Sequence, residues 1–160
     1  QSLQWQHQSI GIFMAGWIIF YGIIQASTPR LIKRNGIPTG NSASAWAGLL
    51  ALLTCALAAA LSWLPPSYIG LVLIIGLLLF GAVFAVNSSM HRYLVVALAR
   101  DDGISLDVGF YYMANACGRL FGTVLSGIVY QFYGLVACIT VSVLLLALAA
   151  FFVKKLDVAK

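Results

Sequence analysis

Acidic side chains are almost missing from this chain: the 160 residues contain four carboxylates, all Asp, and only 8% of the residues are charged. An ordinary globular domain carries about a quarter charged residues and needs that polar surface to stay in water. So few carboxylates also leave no pair for general acid and base chemistry. No H-E-x-x-H, G-x-S-x-G or G-x-x-x-x-G-K-[ST] pattern is present, so the reading is that the chain is not an enzyme. Cysteine is equally sparse. Cys55, Cys117 and Cys138 lie in apolar stretches without CxxC spacing or a nearby His, which argues against a metal centre and marks them as small packing residues. No cofactor or metal is expected.

What the chain does have is 62% hydrophobic residues and a mean hydropathy of +0.98. Its net charge of +5 forms no basic stripe interleaved with aromatics, so nucleic acid is not an expected partner. The charge sits at the ends of apolar runs. A helix needs about 20 apolar residues to cross the hydrocarbon core of a bilayer, and turn signals divide the chain into five such runs. The breaks are Pro29 to Asn41, Pro65 with Pro66, Arg100 to Gly103, and Tyr133 with Gly134. The expectation is an all-α membrane protein with five transmembrane helices, at approximately 10–29, 42–64, 67–99, 106–130 and 134–154, within one bundle covering 1–160.

Cationic loops are retained on the cytoplasmic side. Arg30, Lys33 and Arg34 follow the first run, Arg92 and Arg100 follow the third, and Lys154, Lys155 and Lys160 follow the fifth. The alternate loops carry no charge, so the amino end is expected outside and the carboxyl end in the cytoplasm. Gln1 is followed by neither a charged n-region nor a cleavage site, so it reads as no natural start. An outside start without a cleavable signal needs upstream sequence to deliver it, and the chain is therefore expected to be a carboxyl-terminal piece.

The second and fifth runs are nearly free of polar groups and are expected to face lipid. The first, third and fourth carry polar side chains and are expected to surround a pathway, because polar groups in hydrocarbon normally face protein or water. In the fourth run Ala114, Gly118, Gly122 and Ser126 form a ridge of small residues suited to close helix packing. Beside it Tyr111, Asn115, Arg119 and Thr123 share one face. The planar fork of Arg119 suits an oxyanion, with a structural ion pair or snorkelling to the interface as the alternatives. Asn87 and His91 lie one turn apart at the end of the third run, able to donate to an anion or pass a proton, or else to sit solvated at the interface. Trp17, Tyr21, Gln25 and Thr28 make a stripe on the first helix that serves either a ligand wall or an interface anchor. Ser105 and Asp107 read as a cap for the fourth helix.

In GWIIFYGIIQASTPRL, AVNSSMH and above all SLDVGFYYMANACGRLFGTVLSG, the chain resembles the organoarsenical efflux transporters of the major facilitator superfamily. The resemblance covers what would be the last five of twelve helices, from the carboxyl-terminal six-helix bundle. It implies an alternating-access exporter in an inner (plasma) membrane. Its other parts would be the missing amino-terminal bundle of the same protein, its surroundings the lipid bilayer, and its cargo a small anionic solute, an arsenate ester of phosphoglycerate. The candidate substrate-binding residues are Arg119, Asn115, Tyr111, His91, Asn87, Gln25 and Tyr21. Arg92 departs from the small polar residue expected after the His. Export of another anionic or drug-like solute, and a non-transporting membrane assembly subunit, are the alternatives.

Overall fold

The computed structural model describes residues 6–35, 38–99 and 103–155, with the side chains of 31–35 left aside. The described chain is helical throughout: α1 (His7–Asn35), α2 (Gly40–Trp63), a 3-10 turn (Pro66–Tyr68), α3 (Ile69–Leu98) and α4 (Ile104–Lys154). All four α-helices are long and apolar enough to cross a membrane, an architecture compatible with a multi-pass membrane protein. The cations Lys33, Arg34, Arg100 and Lys160, used above to orient the chain, lie outside the described side chains.

Local chemistry sets most of the boundaries. Thr39 caps α2 reciprocally with Ser42: its hydroxyl accepts from the Ser42 amide at 3.3 Å, and the Ser42 hydroxyl accepts from the Thr39 amide at 2.8 Å. α2 stops at Leu64, which is extended (φ −82°, ψ 148°) because it precedes proline. Pro66 then opens the 3-10 turn. One boundary departs from expectation. α1 runs through Pro29 to Asn35 instead of ending at the proline. Proline removes one amide and one helical bond but does not end a helix held along its side by a neighbour, and Thr28 beside it is fully buried. α3 runs unbroken through its polar cluster, close to the expected bounds of 67–99. It continues from Ile69 to Leu98, and at about 1.5 Å per residue its 30 residues span about 45 Å, well beyond an approximately 30 Å hydrocarbon core.

The expected helices at 106–130 and 134–154 are one element, α4, interrupted at Gly134 (φ 79°, ψ −174°). The interruption is a reversal. In a straight helix residues 126 and 138 would stand about 18 Å apart, yet the Cys138 thiol lies 3.7 Å from the Ser126 carbonyl. Segments 104–133 and 135–154 therefore fold back on each other, and glycine supplies a backbone conformation other residues rarely adopt.

α2 is the organising helix, packed against both α3 and α4, while α1 packs on α3 alone. Ala43, Ala47, Leu50, Thr54 and Leu61 on α2 are buried, and the Ser44 hydroxyl donates to the Ala150 carbonyl at 2.8 Å, tying α2 to the last segment. The second and fifth runs, expected to face lipid, meet each other on one side, where α2 has buried residues and 135–154 has none. In hydrocarbon an apolar surface gains little by leaving lipid, so lack of polarity does not keep a helix out of the interior; small residues draw it in.

Candidate functional site

The polar stripe of α1 lies against α3. The Trp17 indole donates to the Leu77 carbonyl at 2.7 Å, and its ring rests over Gly81. Trp17 stacks on Tyr21, whose ring meets Phe84; both pairs have centroids 5.7 Å apart. One turn further, the Gln25 amide donates to the Tyr21 hydroxyl at 3.0 Å and more weakly to the Ser88 hydroxyl at 3.4 Å. The Gln25–Tyr21 bond lies within α1, and the Gln25–Ser88 bond is the one that crosses to α3.

On α3, Asn87 and His91 have different surroundings. Asn87 is buried, and its side-chain oxygen Oδ1 has no hydrogen-bond partner among the described residues. His91 is half-buried, with Nδ1 2.8 Å from the Asn87 carbonyl. A carbonyl only accepts, so Nδ1 carries the proton, and in the neutral ring Nε2 is left as an acceptor. His91 also lines a cavity of about 330 Å³ between the end of α3 and the start of α4, shared with Asp107 and Tyr111. Asp107 is not the N-cap residue of α4. Gly103 holds that position and the Asp107 amide bonds back to the Gly103 carbonyl at 3.0 Å, which places Asp107 inside the first turn with its side chain on the cavity. The spacing of four between Asp107 and Tyr111 was the sequence signal for their shared face.

Higher on α4 the surroundings open out. Asn115 and Arg119 are exposed, and no hydrogen bond or ion pair to the Arg119 guanidinium forms among the described residues. The adjoining ridge is open too: a Cβ added at Gly118 or Gly122 would meet nothing within 4 Å. At these two glycines the close contact expected of the ridge is not made among the described residues, while its last member, Ser126, is met by Cys138 of the returning segment. Among the described residues α1 and α4 make no contact with each other, while α3 meets both. The candidates are dispersed: Tyr21 and Gln25 lie in the α1–α3 joint, Asn87 is buried on α3, His91 and Tyr111 line the α3–α4 cavity, and Asn115 and Arg119 lie on the open face.

Compared with protein-family models, curated proteins and solved structures, the chain matches none.

Proposed function

We propose that this chain is part of a small-solute transporter of the plasma membrane, and that it crosses the bilayer five times, with 104–133 and 135–154 as separate spans. In this reading it supplies the last five of twelve helices of a major facilitator exporter, working by alternating access on an anionic organoarsenical. The resemblance in SLDVGFYYMANACGRL supports the family and the cargo class.

The observation that carries the reading is Arg119. It stands near the middle of 104–133, exposed, with no acidic partner on any described helix. An isolated cation at the centre of a bilayer costs about 2.5–3.5 kcal/mol on insertion scales, so such a group faces water or an anion. Asn115, one turn away on the same exposed face, adds a neutral donor beside the fork of the guanidinium, a pairing suited to phosphate or carboxylate oxygens. Arg119 and Asn115 are therefore the anion-binding pair in this reading.

The test is export per folded molecule by the complete transporter in an arsenic-sensitive cell. Arg119→Lys keeps the charge but loses the two-pronged geometry, and is expected to weaken export; Arg119→Gln is expected to be worse. Normal export per molecule in Arg119→Gln, with only a lower yield of folded protein, would refute the assignment. That result would favour the second reading, an assembly subunit, for which the open strip at Gly118 and Gly122 offers a docking face.

A further inference from the structure

The last described segment ends in charge above an exposed apolar stripe. Leu144, Leu148, Phe151 and Lys155 follow at spacings of four, three and four, and so share one face of the helix that ends there. The three apolar members are exposed, as is Phe152 beside them. The Lys155 ammonium is folded back over the Phe151 ring, 4.8 Å from its centroid, and Lys154 next to it is exposed. By sequence, Lys154, Lys155 and Lys160 against Asp157 leave this end with a side-chain charge of +2. Depth decides what meets these ammonium groups. The Ser44 hydroxyl bonds to the Ala150 carbonyl, which sets Ala150 level with Ser44 on α2. From Ser44 to the exposed Trp63 at the far end of α2 is about 28 Å, close to the approximately 30 Å of a hydrocarbon core. Lys154 and Lys155 therefore lie about 6–8 Å beyond the edge of that core, in the headgroup layer. The cations of the other helices agree. Leu57 lies against Gly76, so Ser44 on α2 is level with Ser89 on α3, and Arg30 and Arg92 stand about one turn beyond the contact of Gln25 with Ser88.

We propose that the end of 135–154 is a binding site for an anionic phospholipid. The lipid phosphate sits on the Lys154 and Lys155 ammonium groups, and an acyl chain runs along Phe151, Leu148 and Leu144. A phospholipid supplies both halves at the depth where the chain presents them, whereas a soluble phosphate ester would leave the apolar stripe unused. Charge selects the headgroup. Phosphatidylglycerol brings a phosphate with no cation of its own, while the choline of phosphatidylcholine is repelled by the two lysines. The inference rests on 135–154 crossing the bilayer and on nothing about transport or Arg119.

The test places the photoreactive residue benzoylphenylalanine at Leu148 of the whole chain, in nanodiscs of equimolar phosphatidylglycerol and phosphatidylcholine with matched acyl chains. Leu71, exposed near the start of α3 at the uncharged end, carries the same probe as the reference. After illumination, mass spectrometry counts the two lipid adducts. The ratio of phosphatidylglycerol to phosphatidylcholine adducts is expected to be at least about fivefold higher at Leu148 than at Leu71, the factor that one cation near a membrane surface contributes. Lys154→Gln with Lys155→Gln should lower the ratio to that at Leu71, and Lys154→Arg with Lys155→Arg should keep it. Equal ratios at Leu148 and Leu71 with both lysines intact would overturn the proposal. So would a raised ratio that survives the paired Gln changes. Loss of the preference in excess glycerol phosphate, compared with chloride at equal ionic strength, would overturn it as well, because the lysines would then serve a soluble phosphate ester. Absence of any lipid adduct at Leu148 would overturn it through the span on which it rests, not through the headgroup preference. The comparison of Leu148 with Leu71 decides the matter even if a lysine variant fails to fold.

Discussion

Gly81→Ala measures how firmly α1 is held to α3. A Cβ at Gly81 would come within 2.8 Å of Trp17 Nε1, 3.0 Å of Cε2 and 3.1 Å of Cζ2. The indole has little room to yield, because its N–H is bonded to Leu77 at 2.7 Å and its ring stacks on Tyr21. Overpacking of this kind costs about 1–3 kcal/mol, while replacing a mid-helix glycine by alanine returns about 0.5–1 kcal/mol. The net expectation is a loss of about 1–2 kcal/mol. Gly118→Ala is the control: the same propensity gain meets no neighbour within 4 Å, so it should be neutral or slightly stabilising. Gly76→Ala separates closeness from rigidity. There the new Cβ would lie 2.7 Å from Leu57 Cδ1, the free end of a side chain that can rotate away, so the cost should be small. The assay is reversible SDS-induced unfolding in mixed micelles followed by circular dichroism. Trp17→Phe added to Gly81→Ala should cost less than the sum of the two single changes, since the smaller ring vacates the contested space. The reasoning fails if Gly81→Ala is as stable as Gly118→Ala, or if the two changes at Trp17 and Gly81 prove additive.

Beyond the tests of Arg119 and of Lys154 with Lys155, two expectations follow from the backbone and the charge pattern. Gly134→Ala should destabilise the chain by about 1–3 kcal/mol for backbone reasons alone, since Gly134 has positive φ but nothing within 4 Å of its missing Cβ; Gly127→Ala in the same unfolding assay should not, and equal stability of the two variants would remove the conformational role of Gly134. With the native cysteines replaced by Ala, an impermeant thiol reagent added outside cells should label Ser67→Cys but not Arg30→Cys, and labelling of Arg30→Cys alone would reverse the proposed orientation.

The all-helical character and the places where the chain turns were legible from residue type alone. Proline at 65 and 66, the Thr39 and Ser42 cap and the glycine at 134 act through local backbone geometry, which needs no distant partner to take effect. Pro29 misled for a complementary reason: its local preference against helix is offset where the helix is supported along its flank, and support is a tertiary property. The same limit applies to the functional candidates. Tyr21 and Gln25 have the side chains of a ligand wall, and only the tertiary structure sets Gln25 against Ser88 and Tyr21 against Phe84 of α3. Asp107 reads as a cap from its neighbours in sequence, but the choice of Gly103 as cap and the approach of α3 turn it onto a cavity with His91. Which apolar helix lies inside could not be read from hydropathy at all. Lipid and protein interiors are nearly equivalent solvents for an aliphatic side chain, so the placement of α2 at the centre was decided by the fit of Ala43, Ala47 and Thr54 against their neighbours, which exists only once the helices have met.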